Sequence, residues 1–155
     1  MERKAEILAK QEEKQFTARN DFAFRWLFGT EENKEITRRF LSLVTKVEDI
    51  EEIEFETPFL LQDYMEEKTG IVDIKLTLKS GEKINVEMQN YWSPYFPKRS
   101  LYYWAKLYAE DFVQGNDYKA LSPCIVINLL NDRFPLSDKC HSVYRIMEEQ
   151  EHRVL

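Results

Sequence analysis

The chain has 155 residues, 43% hydrophobic and 14% aromatic, which is enough for one domain with its own core and too few to expect two. Its formal net charge of −6, with 28 acidic against 22 basic side chains, argues against a tight non-specific grip on a polyanion, because such binding depends on Lys and Arg displacing counterions. Only four glycines and five prolines, with no low-complexity run, exclude a largely disordered or fibrous chain, and no stretch approaches the roughly 20 apolar residues of a membrane span.

Met1 to about Gln15 forms a charged leader, too charged for a secretory signal, and residues 16–155 form a single domain. A cytoplasmic location is expected. Asn20 or Asp21 can cap a helix that begins F-A-F-R-W-L-F, where Phe24, Leu27 and Phe28 recur at helical spacing. Gly29-Thr30 interrupts it. The next helical run, about Glu32 to Thr45, has Ile36, Phe40, Leu43 and Val44 as its expected buried stripe, with Glu35 and Arg39 placed to pair four residues apart. The acidic stretch I-E-E-I-E-F-E-T-P-F alternates with period two, and its charge and Pro58 suit an edge strand.

From Ile71 the sequence I-V-D-I-K-L-T-L puts Val72, Ile74, Leu76 and Leu78 on one side and Asp73, Lys75 and Thr77 on the other. K-I-N-V-E-M-Q then sets Ile84, Val86 and Met88 against Asn85, Glu87 and Gln89. Lys79-Ser80-Gly81 between them fits a three-residue hairpin loop whose glycine takes the left-handed conformation. With Leu78 opposite Glu82, Asp73 falls opposite Glu87, their Cβ atoms roughly 4.5–5.5 Å apart. A slip of one residue would mix the polar and apolar faces, so the hydrophobic pattern selects this register. Two carboxylates held in this way repel unless a cation lies between them, and they form a ready site for a hard divalent ion.

Tyr91, Trp92, Tyr95 and Phe96 follow in a loop punctuated by Pro94 and Pro97, placed either to pack over a ligand or to form a subunit contact. Leu101, Trp104, Ala105, Tyr108 and Phe112 fall at helical spacing over Lys98 to Val113, before the stop signal of Gly115. Lys98, Arg99 and Lys106 give that segment a local basic edge. Ser122 to Leu130 is a continuous apolar run of strand length, as expected for a strand buried on both faces. Cys140 to Gln150 suits a short helix. Cys124 is expected as a buried reduced thiol, and Cys140, His141 and His152 lack the spacing of a zinc site.

The element order and several motifs together resemble the PD-(D/E)XK nuclease superfamily, and within it the transposase-like, recombination-promoting branch. They are N-D-F-A-F-R-W-L-F-G, I-V-D-I, N-V-E-M-Q, R-S-L-Y-Y and G-N-D-Y-K-A-L-S-P-C-I-V-I, in that order. The resemblance implies an α/β fold with a restriction-endonuclease-like core, αβββαβ, in which a mixed central sheet is flanked by helices. It also implies a divalent-metal-dependent DNA endonuclease using Mg²⁺ or Mn²⁺, with DNA as partner and no organic cofactor.

By the same resemblance Asp73 and Glu87 are the two acidic residues of the nuclease signature and the metal ligands, and Gln89 stands where the signature has lysine. A neutral amide can orient a water or a phosphate oxygen but brings no charge. Asp21 resembles a family acidic position and is read either as an outer-sphere carboxylate or as a helix cap. Arg99 and Tyr103, four apart on one helix face, either reach the DNA backbone or, for Arg99, support the sheet through an ion pair. The closing H-R-V-L resembles the start of a further strand, as in a domain truncated at its C-terminus.

Two other functions compete with the nuclease. One is an inactive nuclease fold that binds DNA or a protein; the other is an oligomerisation module, in its simplest form a homodimer, built on the aromatic loop.

Overall fold

Phe24 and Ala23 are buried and anchor the first described helix, α1 (Asp21–Phe28). It stops at Gly29, whose N–H donates to Arg25 O at 2.7 Å. The Trp26 carbonyl, one of those a helix end leaves without an intrahelical donor, accepts from Thr30 Oγ1 at 3.0 Å and from Asn33 Nδ2 at 2.9 Å. These bonds belong to a computed structural model that describes residues 21–47, 50–56 and 74–155. The charged leader, Pro58 and Asp73 lie outside the described residues.

A short 3₁₀ turn (Glu31–Asn33) leads into α2 (Lys34–Thr45). The stripe that α2 buries is only partly the expected one. Thr37 and Leu41 are buried, with Phe40 and Val44 partly so, whereas Ile36 is 43% and Leu43 80% exposed. Thr37 is tolerated inside because its hydroxyl donates to Phe28 O at 2.8 Å, which ties α2 to the end of α1. The exposed side carries the charges. Glu35 pairs with Arg39 as expected, at 2.9 Å, and also with Arg38 at 2.8 Å, and the two guanidiniums hold its carboxyl down to about 2.

Among the described residues four strands follow, β1 (Ile53–Phe55), β2 (Ile74–Leu78), β3 (Lys83–Gln89) and β4 (Cys124–Leu130), in the sheet order β1-β2-β3-β4. The first three pair antiparallel and β4 runs parallel to β3, so the sheet is mixed. β1 is the expected acidic edge strand, with Ile53 and Phe55 inward and Glu54 exposed. The hairpin has the expected register: Ile74 faces Val86, Leu76 faces Ile84, and the loop closes with Leu78 N–H donating to Glu82 O at 2.9 Å.

Gly81 sits at φ +95°, the left-handed conformation that this loop requires. Space is not the constraint, since a Cβ there would meet nothing within 4 Å. Gly81→Ala is therefore expected to lower stability by about 1–2 kcal/mol through backbone strain alone, read as a lower urea midpoint at unchanged slope.

Ile74, Leu76, Leu78, Ile84, Val86 and Ile127 pack with Phe24 and Leu41, so α1 and α2 cover one face of the sheet. The opposite face lies under α3 (Phe96–Ala109), which connects β3 to β4 as a parallel pair requires. α3 starts two residues earlier than expected, because Pro97 falls within its first turn, where a missing N–H costs nothing, and it ends sooner, at Ala109. Phe96 and Leu107 are its buried residues, while Leu101, Ala105 and Tyr108 are exposed. Trp104 is half-buried, with Nε1 donating to Cys124 O at 3.1 Å and its ring stacked on Tyr108.

Two further expectations are corrected. β4 is not buried on both faces: it lies at the sheet edge, and only Ile127 is fully buried, because among the described residues no strand pairs with its outer side. Residues 140–150 are irregular rather than helical, with a turn only from 149, and Met147 makes a single antiparallel bridge to Val154 of the H-R-V-L end. Cys124 and Cys140 are free, Cys124 half-buried and Cys140 exposed, and burial pushes the Cys124 thiol up. No helix among the described residues is long and apolar enough to cross a membrane.

Candidate active site

Because side chains alternate along a strand, burying Ile84 and Val86 against α1 and α2 turns Asn85, Glu87 and Gln89 toward α3. Glu87 is consequently not a surface charge. Its side chain is 12% exposed, and Arg99 from the first turn of α3 brings Nη2 to 3.6 Å from its Oε1. The parallel register sets Asn128 of β4 beside Glu87, and Asn128 Nδ2 donates to Ser100 Oγ at 2.9 Å. Arg99 and Ser100 thus reach neighbouring strands, Arg99 over β3 and Ser100 over β4. At the other end of α3, Lys75 Nζ donates to Glu110 at 2.7 Å and Lys83 pairs with Asp111, which fixes the helix across the sheet.

Buried polar atoms gather around Glu87. Among the described residues, Oδ1 of Asn85, Oδ1 of Asn128, and Nε and Nη2 of Arg99 are buried without a hydrogen bond. Buried groups normally find partners, and each one left without costs about 1–3 kcal/mol. A cluster of them on a single sheet face is a common property of sites that receive a ligand. The oxygens suit a hard cation and the guanidinium N–H groups suit an anion.

The residues singled out in the sequence are placed as follows. Glu87 is at the centre. Gln89 is on the same face at the end of β3, and its Nε2 donates to Tyr91 O at 3.0 Å, which turns the amide toward the aromatic loop. Arg99 adopts the ion-pair geometry with Glu87. Tyr103, one turn later, is half-buried with its ring 5.5 Å from that of Tyr102. Asp73 and the Asp21 side chain lie outside the described residues; the helix itself begins at Asp21.

Asn85, Ser100 and Asn128 were not singled out. Asn128 had a readable signal, as the one polar residue within C-I-V-I-N-L-L. The aromatic loop is divided: Trp92 packs on Phe96 at 5.8 Å and on Phe134 at 5.4 Å, so these rings fill an internal contact, while Tyr91 and Tyr95 are exposed.

As a metal site the described residues offer one carboxylate, Glu87, flanked by the amide oxygens of Asn85 and Asn128. No three His, Cys, Asp or Glu side chains come together among them. An all-oxygen set with a single charged member fits a hard ion such as Mg²⁺ or Mn²⁺ once a second carboxylate joins it, and does not suit zinc.

No curated protein and no solved structure matches the chain. The family model described as PD-(D/E)XK nuclease family transposase matches residues 18–155. With that match over most of its length, and with three α-helices and a four-strand mixed sheet among its described residues, the chain belongs to the PD-(D/E)XK nuclease family transposases and has their α/β nuclease-like fold.

Proposed function

We propose that this protein is a divalent-metal-dependent DNA endonuclease of the transposase or recombination-promoting type. The observation that carries the proposal is the cluster of buried, unsatisfied oxygens and guanidinium N–H groups around the Glu87 carboxylate. Asp73 and Glu87 would hold the cation, Mg²⁺ or Mn²⁺. The register supports this pairing, since the last described pair, Ile74 with Val86, agrees with the hairpin register expected from the sequence, in which Asp73 faces Glu87. A bound divalent cation supplies Lewis acidity, polarising a phosphate oxygen and acidifying water.

The chain's own residues do the rest. Asp73 and Glu87 fix the position of charge, and Gln89 offers Oε1 to orient the attacking water while its Nε2 is held by Tyr91 O. Arg99 and Tyr103 share one face of α3 and support the phosphate, and Asp21 is an outer carboxylate or a cap. In the reaction, water oxygen bonds to phosphorus, one ester P–O bond breaks, and the water proton passes through solvent to the leaving alkoxide.

One observation favours a second reading. The residue at the signature lysine's position is neutral and hydrogen-bonded to the loop backbone, which suits a nuclease fold that binds DNA or a protein without cutting. Supercoiled plasmid incubated with Mg²⁺ separates the two. The nuclease is expected to give nicked and linear products that disappear with Asp73→Ala or with excess chelator. Equal products from wild type and Asp73→Ala would end the nuclease reading, and a mobility shift without cleavage would favour the second.

A further inference from the structure

We infer that Arg99 takes over the task of the missing lysine, presenting one edge of its guanidinium to two oxygens of the DNA phosphate; the inference rests on the nuclease reading above. Position 89 carries a neutral amide whose NH₂ is held by Tyr91 O, so the charge must come from elsewhere on this face. Among the described residues on this face, three cations are candidates. Lys75 is held by Glu110 and Lys83 by Asp111, both toward the far end of α3. Arg99 is beside Glu87.

Its geometry is that of a group awaiting an acceptor. Nε and the adjacent Nη2 form one edge of the guanidinium, and both are buried without a hydrogen bond. Glu87 Oε1, at 3.6 Å from Nη2, gives electrostatic attraction but is too far for a hydrogen bond. The Phe96 ring, 5.9 Å from Cζ, supports the cation, and the Arg99 N–H donates to Tyr95 O at 3.0 Å, fixing its root in the first turn of α3. Two parallel N–H donors match two phosphate oxygens, which a lysine ammonium engages only as a point charge.

Arginine does not give up its proton. Arg99 therefore cannot act as a base, and its role is to stabilise the charge that grows on the phosphate oxygens as water adds. Without substrate the same guanidinium offsets the Glu87 charge, which keeps that carboxylate tolerable at low exposure.

The test combines binding with turnover in Arg99→Met, Arg99→Lys, Gln89→Lys and the Arg99→Met/Gln89→Lys double variant. Binding of a fluorescein-labelled duplex is measured in Ca²⁺ across a salt series. Arg99→Met is expected to weaken binding about tenfold and to lower the slope of log Kd against log salt by about one, as loss of one phosphate contact requires. Arg99→Lys is expected to keep the slope and lose part of the affinity.

In Mg²⁺, Arg99→Met is expected to slow cleavage about 100-fold, and adding Gln89→Lys to recover at least about tenfold, a rescue that a merely structural ion pair would not give. Unchanged duplex affinity and slope in Arg99→Met, with its melting temperature retained, would overturn the phosphate contact. No recovery by Gln89→Lys would overturn the substitution for lysine. If wild type and Asp73→Ala both fail to cut, the nuclease reading falls and takes the lysine role with it, while the binding arm still decides whether Arg99 holds phosphate.

Discussion

Leu76→Ala is expected to destabilise the fold by about 3–5 kcal/mol, a large part of the roughly 5–15 kcal/mol that holds a domain of this size. Leu76 is fully buried at the centre of β2, facing Ile84 on one side and Phe55 on the other. It belongs to the cluster that joins the sheet to Phe24 of α1 and Leu41 of α2. Removing its isobutyl group leaves a void that the paired strands on either side cannot close, so the cavity contribution adds to the lost transfer energy. Leu43→Ala is the matched control: the same chemical change at an 80% exposed position is expected to alter stability by no more than about 0.5 kcal/mol. Urea unfolding with a common slope measures both. Equal costs at the two leucines would mean that the α2 face has been assigned wrongly.

That contrast also marks how far the sequence could be read. The hairpin was legible because two constraints agreed: the period-two alternation and a loop whose glycine must take positive φ. A register error there would have turned every side chain over. The α2 stripe was misread because hydrophobicity was taken as burial. Thr37 enters the core through a bond to Phe28 O, a contact between two helices that no local pattern encodes, and it rotates the buried face away from Ile36 and Leu43. β4 was misread for a related reason. An apolar run reports that a strand is hydrophobic, and whether it lies inside a sheet or at its edge depends on what the rest of the chain places beside it.

The candidate site divides along the same line. Glu87 and Gln89 were legible as alternating polar residues on a hairpin, and their chemistry came from the family resemblance. What surrounds Glu87 was legible only in part: Arg99 was singled out, as a phosphate contact or an ion-pair partner, but its meeting with Glu87, and that of Ser100 with Asn128 on the neighbouring strand, depends on a crossover connection rather than on one element. The aromatic loop shows the converse. Trp92 and Phe96, candidates for DNA or a second subunit, are occupied by Phe134 from beyond β4, which leaves Tyr91 and Tyr95 as the exposed rings of that segment.

Glu87→Ala is expected to reduce Mg²⁺-dependent plasmid cleavage on the order of 10³-fold, equivalent to about 4 kcal/mol of barrier, while leaving the domain folded. The two effects separate because of where Glu87 sits. Its counter-ion Arg99 keeps Nε and Nη2 buried, but the side chain as a whole is 40% exposed and can turn toward water once the carboxylate is gone, so the loss is expected to stay within about 1–3 kcal/mol and to leave the domain folded. Catalysis has no such compensation, since Glu87 is the one described carboxylate beside the unsatisfied oxygens of Asn85 and Asn128. Glu87→Gln refines the test: it keeps the shape and one acceptor oxygen and removes the charge, so a loss close to that of alanine assigns the effect to charge rather than packing. Cleavage rates are compared at saturating Mg²⁺ and again as the metal is titrated. A variant that only loses affinity for the cation recovers at high concentration, and one that loses the site does not. If Glu87→Gln cuts as fast as wild type at every Mg²⁺ concentration, Glu87 is not a metal ligand and the carboxylate beside Arg99 is an ion pair of the fold.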